Sequence, residues 1–345
     1  MHIFNLNDIV YCKEVNLKGK IVDNFVSEDN NTKYVVEFEK EKGAIIQGQG
    51  IFLAKDLELI KGGILYTEEY VKSKIEELKA RVEKLNKKPK LVIIRVEGDK
   101  ASERYVKNKE KRCNEVGIES QTILFPNDVT QEEVKNKIEE LNSDNNVDCI
   151  LLQLPLPKQL NEHYLTNQIC PYKDADGFTI YNSGLLALGK PLNVACTPKA
   201  IIDFLKWNNI ELKGKDVCIV NASNVVGKPL AHLFLQDLAT PTICHKDTKN
   251  VKDKIKMADI VILATGNADF VTVDDLVEGQ IVIDVSINFN SEGKMCGDIR
   301  KSDYDKLIEK GIHFTTVPNG VGQLTVLGLI EQTVAIVERS EKNGK

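Results

Sequence analysis

The spacing of apolar residues divides the chain into two regions that differ in kind. Up to about residue 60, segments such as DIVYC, KYVVEFE and GIFLA are short, rich in β-branched and aromatic residues, and separated by Gly, Asn and Asp. Such segments are typical of strands joined by tight turns, and no helical period accompanies them. We therefore expect residues 1–62 to form a small all-β domain, a barrel similar to an SH3 domain. No basic or aromatic cluster in this region identifies a partner.

From Thr67 onward the period changes to that of helices. Apolar residues recur every three or four positions over residues 71–85, which predicts an amphipathic helix. Thr67 precedes this helix and is predicted to be its N-cap. Further along, Thr130 and Glu133 have the spacing of a capping box and predict the start of another helix.

Strands that are apolar on both faces alternate with these helices. They are LVIIRV (91–96), QTILF (121–125) and DCILLQ (148–153). This pattern favours a parallel sheet covered by helices on both sides. Residues 63–200 are therefore predicted to form an α/β domain, which the amphipathic helix 322–345 completes by packing back across it.

A second α/β run is predicted over residues 201–321. The buried strand DVCIV leads into a turn and a helix, and TPTIC, DIVILAT and QIVIDVS follow at regular intervals. Strand, turn, helix and strand in this order are typical of a Rossmann-like nucleotide-binding domain. The fold class is thus α/β, with two α/β domains and a small N-terminal all-β domain.

Charge and composition exclude several classes of protein. The 345 residues carry 46 basic and 51 acidic side chains, a net charge of −5, whereas nucleic-acid binding needs a basic footprint. No run reaches the roughly 20 apolar residues of a membrane helix, and the N-terminus lacks the pattern of a signal peptide. We expect a cytoplasmic protein that binds neither nucleic acid nor membrane. The eight cysteines form no Cys-x-x-Cys pair and the histidines lack ligand spacing, so no metal site is expected.

Candidate chemistry in the first α/β domain lies on one helix and two loops. Tyr105 and Lys109 are four residues apart and so share a helix face, although an ordinary surface pair has the same spacing. Gln153 ends a parallel strand, where open α/β sheets bind ligands. Two carboxylates, Asp174 and Asp176, precede Gly177, a pattern that also suits an ordinary Asx turn.

The second domain offers a weaker signal for a nucleotide. The turn after its first strand places small residues, Ala222, Ser223 and Gly227, where a pyrophosphate would approach a helix N-terminus. The spacing is not G-x-G-x-x-G, so an ordinary strand-to-helix turn is equally compatible. After the next strand, Lys246 and Asp247 are adjacent, which leaves the choice between a ribose phosphate and a ribose hydroxyl open.

Eight segments occur in the order found in the bifunctional methylenetetrahydrofolate dehydrogenase/methenyltetrahydrofolate cyclohydrolase family. The resemblance extends from Ile64 to Arg339. The segments are YVKNKEKRCNEVGI, LLQLPLP, PYKDADGF, CTPKAI, NASNVVGKPL, ATGNADF, IVIDVSIN and VPNGVGQLT.

The resemblance implies an enzyme of one-carbon folate metabolism. It would oxidise 5,10-methylenetetrahydrofolate with NADP or NAD, hydrolyse the 5,10-methenyl form to 10-formyltetrahydrofolate, and form a homodimer. Lys109 would be the catalytic lysine of the hydrolysis, either accepting a proton or stabilising an oxyanion. Gln153 would orient Lys109, Tyr105 would stack on the folate and Asp176 would bind the pterin.

Other site residues follow from the resemblance alone. Further folate-binding residues would be Leu154, Pro155, Gly320 and Thr325. The nucleotide would be bound by Asn221, Ala222, Ser223, Val226, Gly227, His245, Lys246, Thr265, Gly266, Ser286 and Ile287.

Four positions depart from the family pattern. Asn221, Ser286 and Asn319 replace glycines, and Gln323 replaces a proline. Asn tolerates a left-handed backbone better than most residues, so we expect Asn221 and Asn319 to be accommodated. The residues of the hydrolysis are intact, so we expect a competent cyclohydrolase with a dehydrogenase of uncertain strength. The alternatives are a cyclohydrolase that has lost the dehydrogenase and a non-catalytic protein that senses folate or nucleotide.

Overall fold

A computed structural model of the chain describes residues 9–12, 17–26, 32–38, 48–53, 57–59, 62–290 and 292–342. Within these ranges the main elements form one antiparallel sheet, two parallel sheets and their covering helices. The two parallel sheets position the site residues, and the antiparallel sheet precedes them in the chain.

The N-terminal strands form a five-stranded antiparallel sheet in the order β4-β3-β2-β1-β5. Its strands are β1 (Ile9–Cys12), β2 (Leu17–Val26), β3 (Thr32–Phe38), β4 (Gly48–Leu53) and β5 (Leu57–Leu59). Tyr34 and Phe52 are directly opposite each other in the β3–β4 register, and both are buried. Closure of this sheet into an SH3-like barrel stays a prediction, because the segments that connect the strands lie outside the described residues.

The first parallel sheet has three strands in the order β8-β7-β9. Alternate residues of the central strand face opposite sides: Leu91 and Ile93 pack into one apolar cluster, whereas Val92 and Ile94 pack into another. This confirms the prediction of a parallel sheet that is covered on both faces. The elements of this domain are α1 (Glu68–Val82), β7 (Lys90–Val96), α2 (Lys100–Val116), β8 (Glu119–Phe125), α3 (Gln131–Ser143), β9 (Cys149–Leu152), α4 (Glu162–Thr166) and α5 (Ile180–Ala187).

Of the two predicted helix caps, one forms and one does not. The side chain of Thr130 accepts a hydrogen bond from the N–H of Glu133, which closes the capping box of α3. Thr67 precedes α1 but makes no side-chain cap. Its backbone is helical, with φ of −97° and ψ of −12°, whereas an N-cap residue is non-helical. Its hydroxyl donates to the carbonyl oxygen of Asn319 at 2.7 Å.

The second parallel sheet has six strands in the order β11-β10-β12-β13-β16-β6, in which β6 is the short strand Gly63–Ile64. This is the Rossmann-like domain that the sequence predicts. Its elements are α6 (Cys196–Trp207), β10 (Asp216–Val220), α7 (Gly227–Gln236), β11 (Thr240–Cys244), α8 (Val251–Lys256), β12 (Ile260–Leu263), β13 (Ile281–Asp284), a hairpin of β14 (Asn288–Phe289) and β15 (Met295–Cys296), α9 (Tyr304–Glu309) and β16 (His313–Phe314).

The edge strand β6 (Gly63–Ile64) departs from the predicted domain boundaries. The prediction places residues 63–200 in the first α/β domain, whereas β6 pairs with β16 in the second sheet. Gly62 packs so tightly there that a Cβ atom would lie 2.5 Å from the backbone of Ile312. Helix α6 likewise continues across the predicted boundary at residue 200. Along the chain, one strand of the second sheet therefore precedes the helices and strands of the first domain.

The C-terminal helix α10 (Val321–Lys342) returns to the first domain. It shares an apolar cluster with α1, α2 and α6, and its Glu338 pairs with Arg81 of α1 at 2.9 Å. By length and composition α10 could cross a membrane, but two-thirds of its apolar window is buried inside the protein. It is a core helix that joins the two α/β domains.

Gln332 of α10 makes three buried hydrogen bonds to the segments around Ala175 and Val194. Its amide donates to the carbonyls of Ala175 at 2.7 Å and Val194 at 2.9 Å, and its oxygen accepts the N–H of Val194 at 2.9 Å. Gln332→Leu removes these three bonds and leaves the N–H and the carbonyl of Val194 buried without them. We expect it to lower the free energy of unfolding by about 3 kcal/mol, measured by urea denaturation. The same substitution at exposed Gln121 is the control, and equal effects at the two positions would contradict this role.

Candidate active site

Lys109 is held in a buried position by the residue that follows β9. Only 6% of Lys109 is exposed, and its Nζ atom donates a hydrogen bond to Gln153 Oε1 at 2.9 Å. Gln153 Nε2 donates to the carbonyl of Leu154 at 2.7 Å, which keeps the amide oxygen toward the lysine. The Leu154–Pro155 peptide that follows is cis. Lys109 therefore lies at the carboxyl ends of parallel strands, where the sequence predicts a ligand site.

Tyr105 lies one helical turn before Lys109 and shares its face of α2. The Lys109 ammonium is 5.8 Å from the centre of the Tyr105 ring. Burial raises the pKa of the Tyr105 phenol, whose hydroxyl bonds to Thr325. Thr325 Oγ1 is in turn 2.9 Å from Thr197 Oγ1. A chain of three hydroxyls from α2, α10 and α6 thus sets the position of the ring.

The first carboxylate of the DADG segment shapes its own loop. Asp174 is buried and accepts hydrogen bonds from the N–H groups of Gly177 and Thr179 and from the amide of Asn182, each at 2.9 Å. Gly177 is left-handed with φ of 68°, and a Cβ there would lie 2.6 Å from the carbonyl carbon of Val194. Asp174 therefore forms the ordinary Asx turn that the sequence also allows.

The second carboxylate belongs to the environment of Lys109. Asp176 is partly buried, and desolvation raises its pKa to about 6, while the charge of Lys109 and a hydrogen bond with Cys196 oppose that rise. The Cys196 thiol is buried, and its sulfur also lies 3.3 Å from the carbonyl oxygen of Ala175. Asp176 is thus a carboxyl group that can be protonated or ionised near neutral pH.

Residues of both α/β domains meet at Gly322, at the start of α10. A Cβ on Gly322 would lie 3.8 Å from the Tyr105 hydroxyl and 3.8 Å from Ile287 Cδ1. Gly320 permits a tight turn just before, since a Cβ there would lie 2.2 Å from the carbonyl oxygen of Thr316. Asn319 is left-handed, with φ of 72°, as we expect for an Asn in place of a glycine.

The Asn221 side chain organises the turn between β10 and α7. Its Oδ1 accepts the N–H groups of Ser223 at 2.8 Å and Gly227 at 3.1 Å, and its Nδ2 donates to the carbonyl of Ala264 at 2.7 Å. Asn221 is not among the left-handed residues of the described chain, so our expectation of a left-handed backbone is wrong there. Side-chain bonds, and not backbone conformation, accommodate it.

The rest of this turn is small and partly open. Ala222 is partly buried, Ser223 is exposed, and the N–H of Val226 donates to Ser223 Oγ at 3.1 Å. A Cβ on Gly227 would lie 1.9 Å from the carbonyl oxygen of Asn221, so only glycine fits at the first residue of α7.

The loops after β12 and β13 place four predicted nucleotide-binding residues side by side. The N–H of Gly266 donates to Ser286 Oγ at 3.0 Å. Thr265 precedes Gly266, and Ile287 follows Ser286 with 44% of its surface exposed. The structure therefore brings these four residues together.

His245 and Lys246 lie on the turn after β11. The backbone N–H of His245 donates to Thr248 Oγ1 at 2.8 Å, and its Nδ1 accepts the N–H of Asp247 at 3.2 Å. Lys246 and Asp247 are both exposed. The turn thus presents one charge of each sign, and these residues make no described bond to the loops after β12 and β13.

The arrangement of these turns fits a dinucleotide. Gly266 is left-handed with φ of 72°, and no atom lies within 4 Å of the position of a Cβ there, so the space beside this loop is open. The N-terminus of α7 and the small residues before it lie beside the same strands, which suits a pyrophosphate. Among the residues that the structure describes, no group of three or more His, Cys, Asp and Glu side chains could hold a metal ion.

Two family profiles match the two α/β domains. The catalytic domain of tetrahydrofolate dehydrogenase/cyclohydrolase matches residues 65–176. The NAD(P)-binding domain of the same family matches residues 195–341, so the two matches cover more than half of the chain.

The chain belongs to the tetrahydrofolate dehydrogenase/cyclohydrolase family.

Relatives and solved structures of this family match almost over their whole length. The bifunctional protein FolD of Bacillus cytotoxicus is 40% identical over 280 residues, which are 80% of this chain and 97% of the relative. The crystal structure of the Campylobacter jejuni bifunctional enzyme FolD has a TM-score of 0.77 at 37% identity and covers 80% of this chain and 98% of that one. The Trypanosoma brucei enzyme, complexed with NADP and an inhibitor, has a TM-score of 0.75 at 28% identity and covers 81% and 99%.

Sequence reasoning missed three residues that hold this family's site in place. Asp298 accepts hydrogen bonds from the loops after β12 and β13, Thr197 supports Thr325, and Gln332 holds the loop of Asp176. Asp298 follows Gly297 without any local motif, so nothing in its surroundings marked it. Thr197 lies in the CTPKAI segment, and its place in that family segment is the signal that marks it.

The raised pKa of Asp176 makes a prediction about folding. The pKa of this carboxyl group rises from 3.8 to about 6 on folding. Its protonated form therefore stabilises the folded protein fully below pH 3.8, and this stabilisation is lost as the pH rises through about 6. The difference in unfolding free energy, wild type minus Asp176→Asn, should therefore fall by about 3 kcal/mol between acidic and neutral pH. Urea denaturation of both proteins across this range measures the difference, and a difference independent of pH would contradict the assignment.

Proposed function

We propose that the chain carries out both reactions of its family. It oxidises 5,10-methylenetetrahydrofolate to the 5,10-methenyl form with NADP, or with NAD, and hydrolyses the methenyl form to 10-formyltetrahydrofolate. The observation that carries this proposal is the meeting of Tyr105, which lies beside Lys109, with Ile287 at Gly322. A folate bound there would contact the residues of both reactions.

In the hydrolysis, Lys109 acts on the water that attacks the methenyl carbon. Water adds to that carbon, and both of its protons leave the added oxygen, one reaching N5 as the bond from carbon to N5 breaks. The Lys109 Nζ atom, fixed by Gln153 at 2.9 Å, either takes up a departing proton or stabilises the developing oxyanion. Tyr105 supplies a flat surface for the folate ring beside it.

Asp176 and the neighbouring backbone orient the folate. A pterin ring carries an amino group and ring N–H, and the carboxyl of Asp176 can accept or donate a hydrogen bond because its pKa is about 6. Leu154, Pro155, Gly320 and Thr325 surround this position in our proposal. Their part is to position the substrate and exclude water.

In the oxidation, NADP supplies the acceptor for a hydride from the methylene carbon. The residues proposed to bind it are those of the turn before α7, the turn after β11 and the loops after β12 and β13. Their part is to align the two reactants across the boundary at Gly322 and to exclude water from it.

A cyclohydrolase with a weakened dehydrogenase is the second candidate. Asn221 Oδ1 accepts the N–H groups of Ser223 and Gly227, and Ser286 Oγ accepts the N–H of Gly266. These are backbone donors of the loops proposed to bind the nucleotide. Three assays in parallel decide between the candidates: oxidation with NADP, oxidation with NAD, and methenyl hydrolysis. Oxidation at a turnover comparable to that of hydrolysis would contradict a weakened dehydrogenase. A non-catalytic sensing protein would not need Lys109 buried against Gln153.

Lys109→Met tests the catalytic assignment. It keeps the length of the side chain but removes the ammonium, so we expect methenyl hydrolysis to slow by at least about a hundredfold. Lys107→Met is the matched control, because Lys107 lies on the same helix, is exposed and pairs with Glu103 at its surface. Hydrolysis at the wild-type rate in Lys109→Met would contradict the assignment.

We further propose a homodimer joined through β11. This strand is an edge of the six-stranded sheet, and exposed apolar residues lie on it and on the neighbouring end of α7, among them Leu235 (55%), Leu238 (63%) and Ile243 (37%). An open edge beside apolar surface favours pairing with a second copy.

The N-terminal sheet, for which an SH3-like barrel is our proposal, is an addition to this core. The expectation of a cytoplasmic protein without nucleic-acid or membrane contacts stays a prediction.

Two variants test this arrangement in one experiment. A chain lacking residues 1–60 should keep both activities and the mass of a dimer in sedimentation equilibrium, because β6 and β11 remain. The double variant Leu235→Lys, Ile243→Lys should sediment as a monomer, since lysines on the edge repel a second copy. Met257→Lys, at an exposed position outside this edge, is the control. A monomeric truncated chain, or a dimeric double variant, would contradict the proposal.

A further inference from the structure

One hydroxyl group joins the loops that follow β12 and β13. Ser286 is buried, its Oγ accepts the N–H of Gly266 at 3.0 Å, and the same hydroxyl donates to Asp298 Oδ2 at 2.9 Å. The hydroxyl thus uses its donor and an acceptor site at once, one on each side. Neither bond can be replaced by water without opening the buried contact between the loops.

The carboxylate of Asp298 accepts hydrogen bonds from both loops. It is fully buried, and besides Ser286 it accepts the N–H of Thr265 at 2.7 Å, the N–H of Asn267 at 3.2 Å and the amide of Asn288 at 2.9 Å. These four donors are all neutral groups. A buried carboxylate stabilised by neutral donors depends on each of them, so the loss of one donor loosens the whole group.

The last residue of β13, Asp284, holds the backbone of Asp298 in place. Asp284 is fully buried and accepts the backbone N–H groups of Asp298 at 3.1 Å and Ile299 at 2.9 Å. A Cβ on Gly297 would lie 2.1 Å from Asp284 Oδ2, so only glycine allows this approach. The position of Asp298 is therefore set by the sheet itself, and Ser286 transmits that position to Gly266.

We propose that Ser286 is a positioning residue for hydride transfer, because its hydroxyl fixes the distance between the loops that align nucleotide and folate. This inference rests on the proposed dehydrogenase function. Ile287 follows Ser286 directly, and its Cδ1 shares with the Tyr105 hydroxyl the space beside Gly322. A displacement of Ser286 therefore moves Ile287, which lies beside the proposed folate site.

The two reactions respond differently to such a shift. Hydride transfer needs its two carbon atoms at a separation of about 3–3.5 Å, and a displacement of about 1 Å can cost a hundredfold in rate. The hydrolysis instead depends on Lys109 and Gln153, which belong to the first domain and make no described bond to Ser286. The hydrolysis is thus an internal reference, in the same protein, for a change that concerns the oxidation.

Ser286→Ala tests this role, with Ser286→Thr as the variant that keeps the hydroxyl. We expect Ser286→Ala to lower kcat of the oxidation about tenfold, with a smaller change in the KM for the nucleotide. The isotope effect with substrate deuterated at the methylene carbon should rise, because hydride transfer becomes slower. Methenyl hydrolysis without nucleotide should fall by a clearly smaller factor than the oxidation, and Ser286→Thr should recover most of the oxidation. Ser302→Ala, at an exposed serine of the same domain, is the matched control.

Hydrogen exchange of the protein without nucleotide gives a readout that does not depend on activity. In Ser286→Ala the amides of residues 265–267 should exchange at least about tenfold faster, because one of their acceptors and a support of Asp298 are lost. Unchanged exchange, unchanged oxidation, or an equal fall in both reactions would each overturn the role of Ser286. Absence of oxidation in the wild type with either nucleotide would instead overturn the proposed dehydrogenase, and this role with it.

Discussion

The packing of α10 against α1, α2 and α6 is the contact on which both halves of the site depend. The first turn of α10 contains Gly322, beside which Tyr105 and Ile287 meet. The helix also carries Thr325 to the Tyr105 hydroxyl and reaches the Asp176 loop through Gln332. Close approach makes this possible, since a Cβ on Gly328 would lie 2.6 Å from a backbone oxygen of α6. A single helix, added last along the chain, therefore fixes the substrate side and the domain boundary together.

The electrostatics of the site follow from how each carboxylate is supported. Asp174 has three hydrogen-bond donors and shapes a turn, whereas Asp176 has a thiol and a nearby ammonium and is left with a pKa of about 6. In the second domain, burial raises the pKa of Asp284 to about 7, against the effect of the backbone N–H groups that it accepts. Asp174 and Asp284 thus shape their loops by accepting hydrogen bonds from neutral backbone and amide groups.

Periodicity alone predicted the two parallel sheets and the long C-terminal helix, because apolar spacing reports directly which faces are buried. It could not assign β6, since a two-residue strand has no period, and it placed Gly63 in the wrong sheet. The contact between Lys109 and Gln153 joins residues 44 positions apart, and only the ordered motifs suggested it. Thr67 shows the limit of local rules: its sequence position suits a cap, but its backbone is helical, with φ of −97° and ψ of −12°, whereas an N-cap residue is non-helical. Its hydroxyl donates instead to Asn319, 252 residues away.

The order of strands in the second sheet determines where the N-terminal sheets would lie in a dimer. β11 and β6 are its opposite edges, five strand spacings apart, or about 24 Å. In a pair of chains joined through β11, the two sheets would merge into one of twelve strands with a Gly62 at each far end. The N-terminal sheets would then be attached about 50 Å apart, at the two far edges of the merged sheet. Such spacing keeps the two attachment points from approaching each other within the dimer.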